Sequence, residues 1–207
     1  MTAAEAVAMF EANPELVESR AREKAARLVR ARADNEAARE VYEDLAAVGG
    51  GEVSSLYDLH RTPGYSALAS PVLMKHLERG GYPLMIMEGL MSRLDLDWIR
   101  KNWDRVVAVY RTGVDRDAFG ALAGVMSQAA RKSQLPDLME MVQDSSLPPT
   151  RGMFVGKVLR LGGEEGLALI ESLKDDPDVG LEATARLKMR QRRRQAGMKR
   201  PPETSSN

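Results

Sequence analysis

Cysteine is absent from this 207-residue chain, which excludes disulfides, thiolate metal sites and cysteine nucleophiles and fits a reducing cytoplasm. Aromatic residues make up only 5% of the chain, too few to stock the β-rich packing of a sheet protein. Histidine occurs only as His60 and His76, with no second His four residues on and no His-Glu-x-x-His, so a metal set is not expected. His60 stands two residues from Asp58, and on a helix such neighbours face different ways, which leaves no acid–base pair. His76, in Met74-Lys75-His76-Leu77-Glu78, reads as a helix-surface residue. No Gly-x-Ser-x-Gly elbow is present, and Gly152 to Lys157 lacks the spacing and the Ser/Thr of a phosphate loop. No catalytic residue, metal ligand or cofactor is therefore expected. No apolar run reaches the roughly 18 residues that span a bilayer. The start, Met1-Thr2-Ala3-Ala4-Glu5, lacks a signal peptide's basic and apolar regions, so a soluble cytoplasmic protein with no membrane partner is expected. The 30 basic and 30 acidic residues balance, which removes any global pull toward nucleic acid.

The apolar content, 43% of residues, is mostly Ala, Leu, Val and 12 Met, a composition that favours helices. Asn13-Pro14-Glu15 reads as N-cap, first helical position and dipole-complementing acid. The helical stretch that follows carries a thin stripe of Val17, Ala21 and Leu28, with a break at Asp34-Asn35, and Gly49-Gly50-Gly51 ends it. Ser70-Pro71 is taken to open a helix that closes at Gly80-Gly81, and Pro83 to open the next. Asp95 or Asp97 caps one helix with Ile99, Trp103, Val106, Val107 and Tyr110 on its apolar face, ending at Gly113. Asp115, Pro136, Pro148-Pro149 and Glu164-Glu165 open four more, with Asp176-Pro177-Asp178 as the last sharp break. The carboxylates of Asp95-Leu96-Asp97 and Asp115-Arg116-Asp117 precede helical patterns and read as caps, not as metal ligands.

Comparable segments begin at Val114, Leu147 and Val179, so their starts lie 33 and then 32 residues apart. That period suits a two-helix unit that buries its apolar face only by stacking on neighbours. The passage from Arg151 through Gly162-Gly163 to Asp175-Asp176-Pro177-Asp178-Val179 resembles the HEAT-type α-solenoid pattern of helix, turn, helix and inter-repeat turn. The resemblance implies a binding surface, and it implies a basic residue after Asp-x-x-Val that ties repeats together, for which Arg186 is the nearest match. The expected fold is all-α, with short antiparallel helix pairs over about 82–112, 115–145 and 148–175 stacked as a HEAT-like α-solenoid. An N-terminal helical hairpin or cap over 1–48 precedes the repeat domain of 52–195, and a disordered basic and polar tail over 196–207 follows it.

Two places are candidate binding sites. Trp98, beside Arg100, Lys101 and Arg105, is either packed against a neighbouring repeat or an exposed anchor, and Trp is enriched in binding hot spots. Some HEAT-like proteins resemble DNA-alkylation-repair glycosylases with Trp, Asp and Arg on a concave face, and Trp98, Asp104 and Arg105 offer those types without a matching motif. The second place is the C-terminal run of Arg186, Lys188, Arg190, Arg192, Arg193, Arg194, Lys199 and Arg200, with no acid until Glu203. It reads either as a phosphate-contacting segment or as a solvated helix end. The function read from these features is a non-catalytic module that binds a protein partner, as adaptor, regulator or inhibitor. Nucleic acid bound by the basic C-terminal segment is the alternative, and homo-oligomerisation through the N-terminal helices is a further expectation.

Overall fold

In a computed structural model of the chain, residues 13–50, 64–112 and 119–198 are described, with Thr2, Val53, Ser55, Leu56 and Leu59. The repeat start at Val114, the Asp115-Arg116-Asp117 cap, Gly113, His60 and the tail from 199 lie outside the described residues, as does the Arg194 side chain.

The described residues form an all-α protein without strands. Helix α1 (Pro14–Ala37) starts as expected, with the Asn13 side chain accepting the Leu16 N–H at 3.3 Å. It runs through Asp34 and Asn35, where a break was expected, and turns instead at Ala38. Ala38 is fully buried, so the chain bends where it meets the body of the protein. Helix α2 (Arg39–Leu45) follows at once and sends Val41 and Leu45 into the core, before a π-helical turn over Ala46–Gly50. By contrast, α1 buries no residue over its 24 positions, about 36 Å of helix.

Helix α3 (Tyr65–Arg79) differs from the sequence reading, because Pro71 stands inside it and not at its start. Gly64 adopts φ +78, the left-handed conformation that lets the chain enter the helix at Tyr65. Pro71 removes one intrahelical hydrogen bond, but burial of Tyr65, Ala69 and Leu73 around it holds the helix. Ser70 works as a joint: its hydroxyl donates to Ser66 O at 2.7 Å and accepts the Asp95 N–H at 2.8 Å. Helix α4 (Leu84–Ser92) is followed by α5 (Leu96–Lys101), capped as expected by Asp95, whose carboxylate accepts the Trp98 N–H at 2.8 Å. The single helix expected to reach residue 112 is split at Asn102 into α5 and α6 (Trp103–Thr112).

Helix α7 (Phe119–Ala129), a 3-10 turn at Lys132–Gln134, α8 (Leu135–Gln143) and a 3-10 helix over Pro149–Phe154 come next. Then follow α9 (Val155–Leu161), α10 (Gly163–Ser172) and α11 (Gly180–Met198). The Pro136, Pro148-Pro149 and Gly162-Gly163 punctuation falls where the sequence put it, and α11 extends to Met198. The main packing partners are close in chain order: α2 on α3, α3 on α4, α4 and α5 on α7, α7 on the Pro149–Phe154 segment, and α9 on α10 and α11. At the centre, Tyr110 packs edge-on against Phe119 and Phe154 at 5.9 and 5.4 Å, and its hydroxyl meets Thr150 Oγ1 at 3.1 Å.

Arg151, rather than Arg186, holds the turn at Asp176-Pro177-Asp178. Its fully buried guanidinium donates to Val142 O at 2.7 Å, to both Asp176 oxygens at 2.9 Å and to Asp178 at 3.2 Å. Asp176 in turn accepts the N–H groups of Asp178 and Val179. Burial pushes its carboxyl up, but those N–H groups and Arg151 outweigh it and hold it below the usual carboxylate value. Arg186 instead pairs with Glu182, one turn away on its own helix.

Candidate functional site

Helix α9 is short and sits between the end of α7 and the long α11, and a groove of about 740 Å³ opens between them. Five cations line it: Lys157, Arg160, Arg186, Arg190 and Arg193. Met153, Leu159 and Met189 supply apolar surface, Ser127, Gln128 and Gly156 complete the lining, and no carboxylate takes part. Gly156 matters for shape, because a Cβ there would stand 3.6 Å from the Arg186 guanidinium carbon. The bare backbone lets that side chain lie against α9.

The cations differ in how they are held. Lys157 is buried, and its ammonium donates to Ala130 O at 2.9 Å and Gln128 O at 3.2 Å at the C-terminal end of α7. Carbonyls there carry the negative end of the helix dipole, so they suit an ammonium. Burial nevertheless pushes Lys157 below the usual lysine value, and the nearby Arg160, Arg100 and Arg131 add to that. Arg190 is half-buried and donates from Nη1 to Leu159 O at 2.8 Å, while its buried Nε has no hydrogen-bond partner. Arg160 and Arg193 are exposed. Among the described residues, none of Lys157, Arg160, Arg190 and Arg193 forms an ion pair with a carboxylate. Arg186 alone does, through Glu182 at 2.6 Å. Carbonyls orient a cation without cancelling its charge, so the groove is prearranged for an anionic group with apolar neighbours.

Of the residues singled out from sequence, Arg190 and Arg193 come together here. Arg192 is exposed on α11 outside this lining. Trp98, Lys101 and Arg105 belong to a different place. Trp98 is half-buried against the core, with the Arg105 guanidinium 5.9 Å from its ring centroid. Arg105 is committed to Glu78 through two bonds of 2.6 Å, which raise its already high pKa. Lys101 and Arg105 line a depression with Arg100, Asp104 and Asp137, where carboxylates offset most of the positive charge. Trp103 is buried and donates from its indole N–H to Asp137 at 2.7 Å.

Sequence reasoning missed Lys157, although it stands three residues after Phe154 and four before Leu161, on the apolar stripe of the helix. It also misplaced His76, which is fully buried. The imidazole Nε2 meets Asp44 Oδ2 at 3.0 Å and Nδ1 meets Tyr82 OH at 2.5 Å, and Arg79 donates to the same phenol oxygen. An ionised carboxylate only accepts, so Nε2 carries the proton and Nδ1 accepts from the phenol. Glu40, Asp44 and His76 bring potential ligand atoms within 4.8 Å of one another. Their lone pairs are already engaged: Lys75 donates to Asp44 at 2.7 Å and Arg79 to Glu40 at 2.6 Å. The cluster fastens α2 to α3. The described helices include none long and apolar enough to cross a membrane. The chain matches no family model, no curated protein and no solved structure.

Proposed function

We propose that this protein is a non-catalytic binding module of HEAT-like architecture, an adaptor, regulator or inhibitor that seats an acidic, partly apolar segment of a protein partner in the α9–α11 groove. The observation that carries the reading is the pairing of carboxylate-free cations with Met153, Leu159 and Met189 in one concavity. Methionine adapts to varied apolar side chains, and fixed cations select acidic neighbours. Packing between elements close in chain order, and the Arg151–Asp176 tie across a repeat boundary, support the solenoid part of the reading. Aromatic platforms on which single-stranded bases stack are missing from the groove lining, which favours a peptide over nucleic acid. The cytoplasm is the compartment that suits a chain without cysteine.

Fluorescence anisotropy tests this with a labelled peptide that alternates Glu/Asp with Leu/Met, its Gln/Asn counterpart, and a DNA duplex of equal charge. The acidic peptide should bind best, and Arg190→Gln with Arg193→Gln should weaken it about tenfold, a change of about 1.4 kcal/mol. A duplex that outbinds the peptide, with a steep salt dependence lost in the same variant, moves the assignment to nucleic acid. Equal binding of the acidic and neutral peptides sinks the groove reading.

A further inference from the structure

The charge of this chain is polarised along its sequence. Its first 19 residues carry Glu5, Glu11, Glu15 and Glu18 and no Lys or Arg, and among them stand Val7, Met9, Phe10, Leu16 and Val17. That is the mixture of acidic and apolar residues that the α9–α11 groove is shaped to take. The described part of this segment opens α1, where Leu16 and Val17 are 42% and 46% exposed. Nothing in α1 is buried, so the helix lies on no part of its own body. A helix of that length gains little from propensity alone, and most helical stability in proteins comes from packing an apolar stripe. Its acids are lightly held: Glu18 pairs with Arg22 one turn on, at 2.5 Å, with both side chains largely exposed. Such a pair contributes little and exchanges readily for a better partner.

We propose that the acidic start of α1 docks in the α9–α11 groove of a second copy of this chain, so that copies associate through arm-to-groove contacts. The inference rests on the groove's preference for acidic, apolar segments. It adds that the protein itself supplies one, held away from its own groove by an arm about 36 Å long. Glu15 and Glu18, one turn apart on the same face of α1, would meet Arg190, Arg193 and Arg160. A protein partner of the same chemistry would then compete with self-association.

The test is charge exchange, read by light scattering on the full chain at low and high salt. The wild type should associate at low salt and dissociate at high salt. An arm variant (Glu11→Lys, Glu15→Lys, Glu18→Lys) and a groove variant (Arg160→Glu, Arg190→Glu, Arg193→Glu) should each lose association about tenfold or more. Mixed together, the two variants should recover it, because each then offers what the other lacks; recovery also proves that both are folded. A wild type that stays monomeric at every salt and concentration overturns the proposal, as does association that neither variant changes. A monomer that still binds the acidic peptide defeats this inference alone and leaves the groove's function standing. A monomer that binds no acidic peptide defeats both.

Discussion

Removing the Arg151 guanidinium should loosen the junction between the last helix pairs more than any surface change. Arg151→Met keeps most of the side-chain volume but deletes the donors to Val142 O, Asp176 and Asp178. Breaking a buried ion pair by removing one partner costs about 3–5 kcal/mol, because the other charge remains in a poor solvent. The lower end applies here. Asp178 is about a third exposed (34%), and Asp176 keeps the N–H groups of Asp178 and Val179. A loss of about 3 kcal/mol in a chain of this size lowers Tm by about 6–12 °C. Thermal melts followed by far-UV circular dichroism measure it directly. Asp176→Asn and the double variant complete a cycle, in which a coupling of about 1–3 kcal/mol is expected between Arg151 and Asp176. A Tm within about 2 °C of wild type, or strictly additive losses, would refute the claim that this ion pair ties the last helices together.

Other consequences are independent of that junction. Burial holds His76 below the ordinary histidine value despite the opposing carboxylate of Asp44. The unfolded chain therefore takes up the proton first as pH falls, so stability is lost between the ordinary value of about 6.5 and the lower folded value. Urea midpoints across that window should fall less in His76→Gln than in wild type, and parallel curves would refute the burial argument. Gly166→Ala should cost about 1–3 kcal/mol, since a Cβ there stands 2.7 Å from the backbone oxygen of Val158. Gly120→Ala, where the nearest atom is the Thr150 methyl at 3.8 Å, should be neutral or stabilising by up to about 1 kcal/mol, and equal melts for the two variants would contradict both readings. Lys157→Met leaves the Gln128 and Ala130 carbonyls without their donor and should cost about 1 kcal/mol of stability while weakening acidic-peptide binding. Binding unchanged in that variant would remove Lys157 from the groove's working set.

Much of the helical layout was legible because it rests on local chemistry. Asn13, Asp95, Pro136, Pro148 and Gly162-Gly163 act within one turn of themselves, so their positions alone mark helix ends. Pro71 misled because what holds the helix around it is tertiary: Tyr65, Ala69 and Leu73 are buried, and the Ser70 hydroxyl reaches Asp95 across 25 residues. The same holds for His76, whose carboxylate partner lies 32 residues earlier on α2, and for Arg151, whose acids lie 25 and 27 residues later. In each case the polar residue stood on an apolar helical stripe, a sign of burial that spacing does reveal. Its partner is what spacing does not reveal.

That distinction also explains where the candidate site falls. Along the body, ion pairs join neighbouring helices: Arg79 with Glu40, Lys75 with Asp44, Arg105 with Glu78, and Arg111 with Glu140. Each pairs a cation with an acid on another helix, and so absorbs charge into the fold. At α9 and α11 the pattern stops: among the described residues, Arg186 alone of the lining cations pairs with a carboxylate, Glu182 on its own helix. Lys157 and Arg190 turn instead to main-chain oxygens, which fix their geometry and leave their charge. A chain with 30 acids and 30 bases that still leaves its cations unmatched here must carry the balancing acids elsewhere. Four of them stand ahead of Arg20, at the opposite end of the sequence. Overall neutrality and a strongly basic groove are thus two aspects of one arrangement. It predicts that screening by salt weakens every interaction of the groove while leaving the Arg151 junction, buried and tightly hydrogen-bonded, almost unchanged.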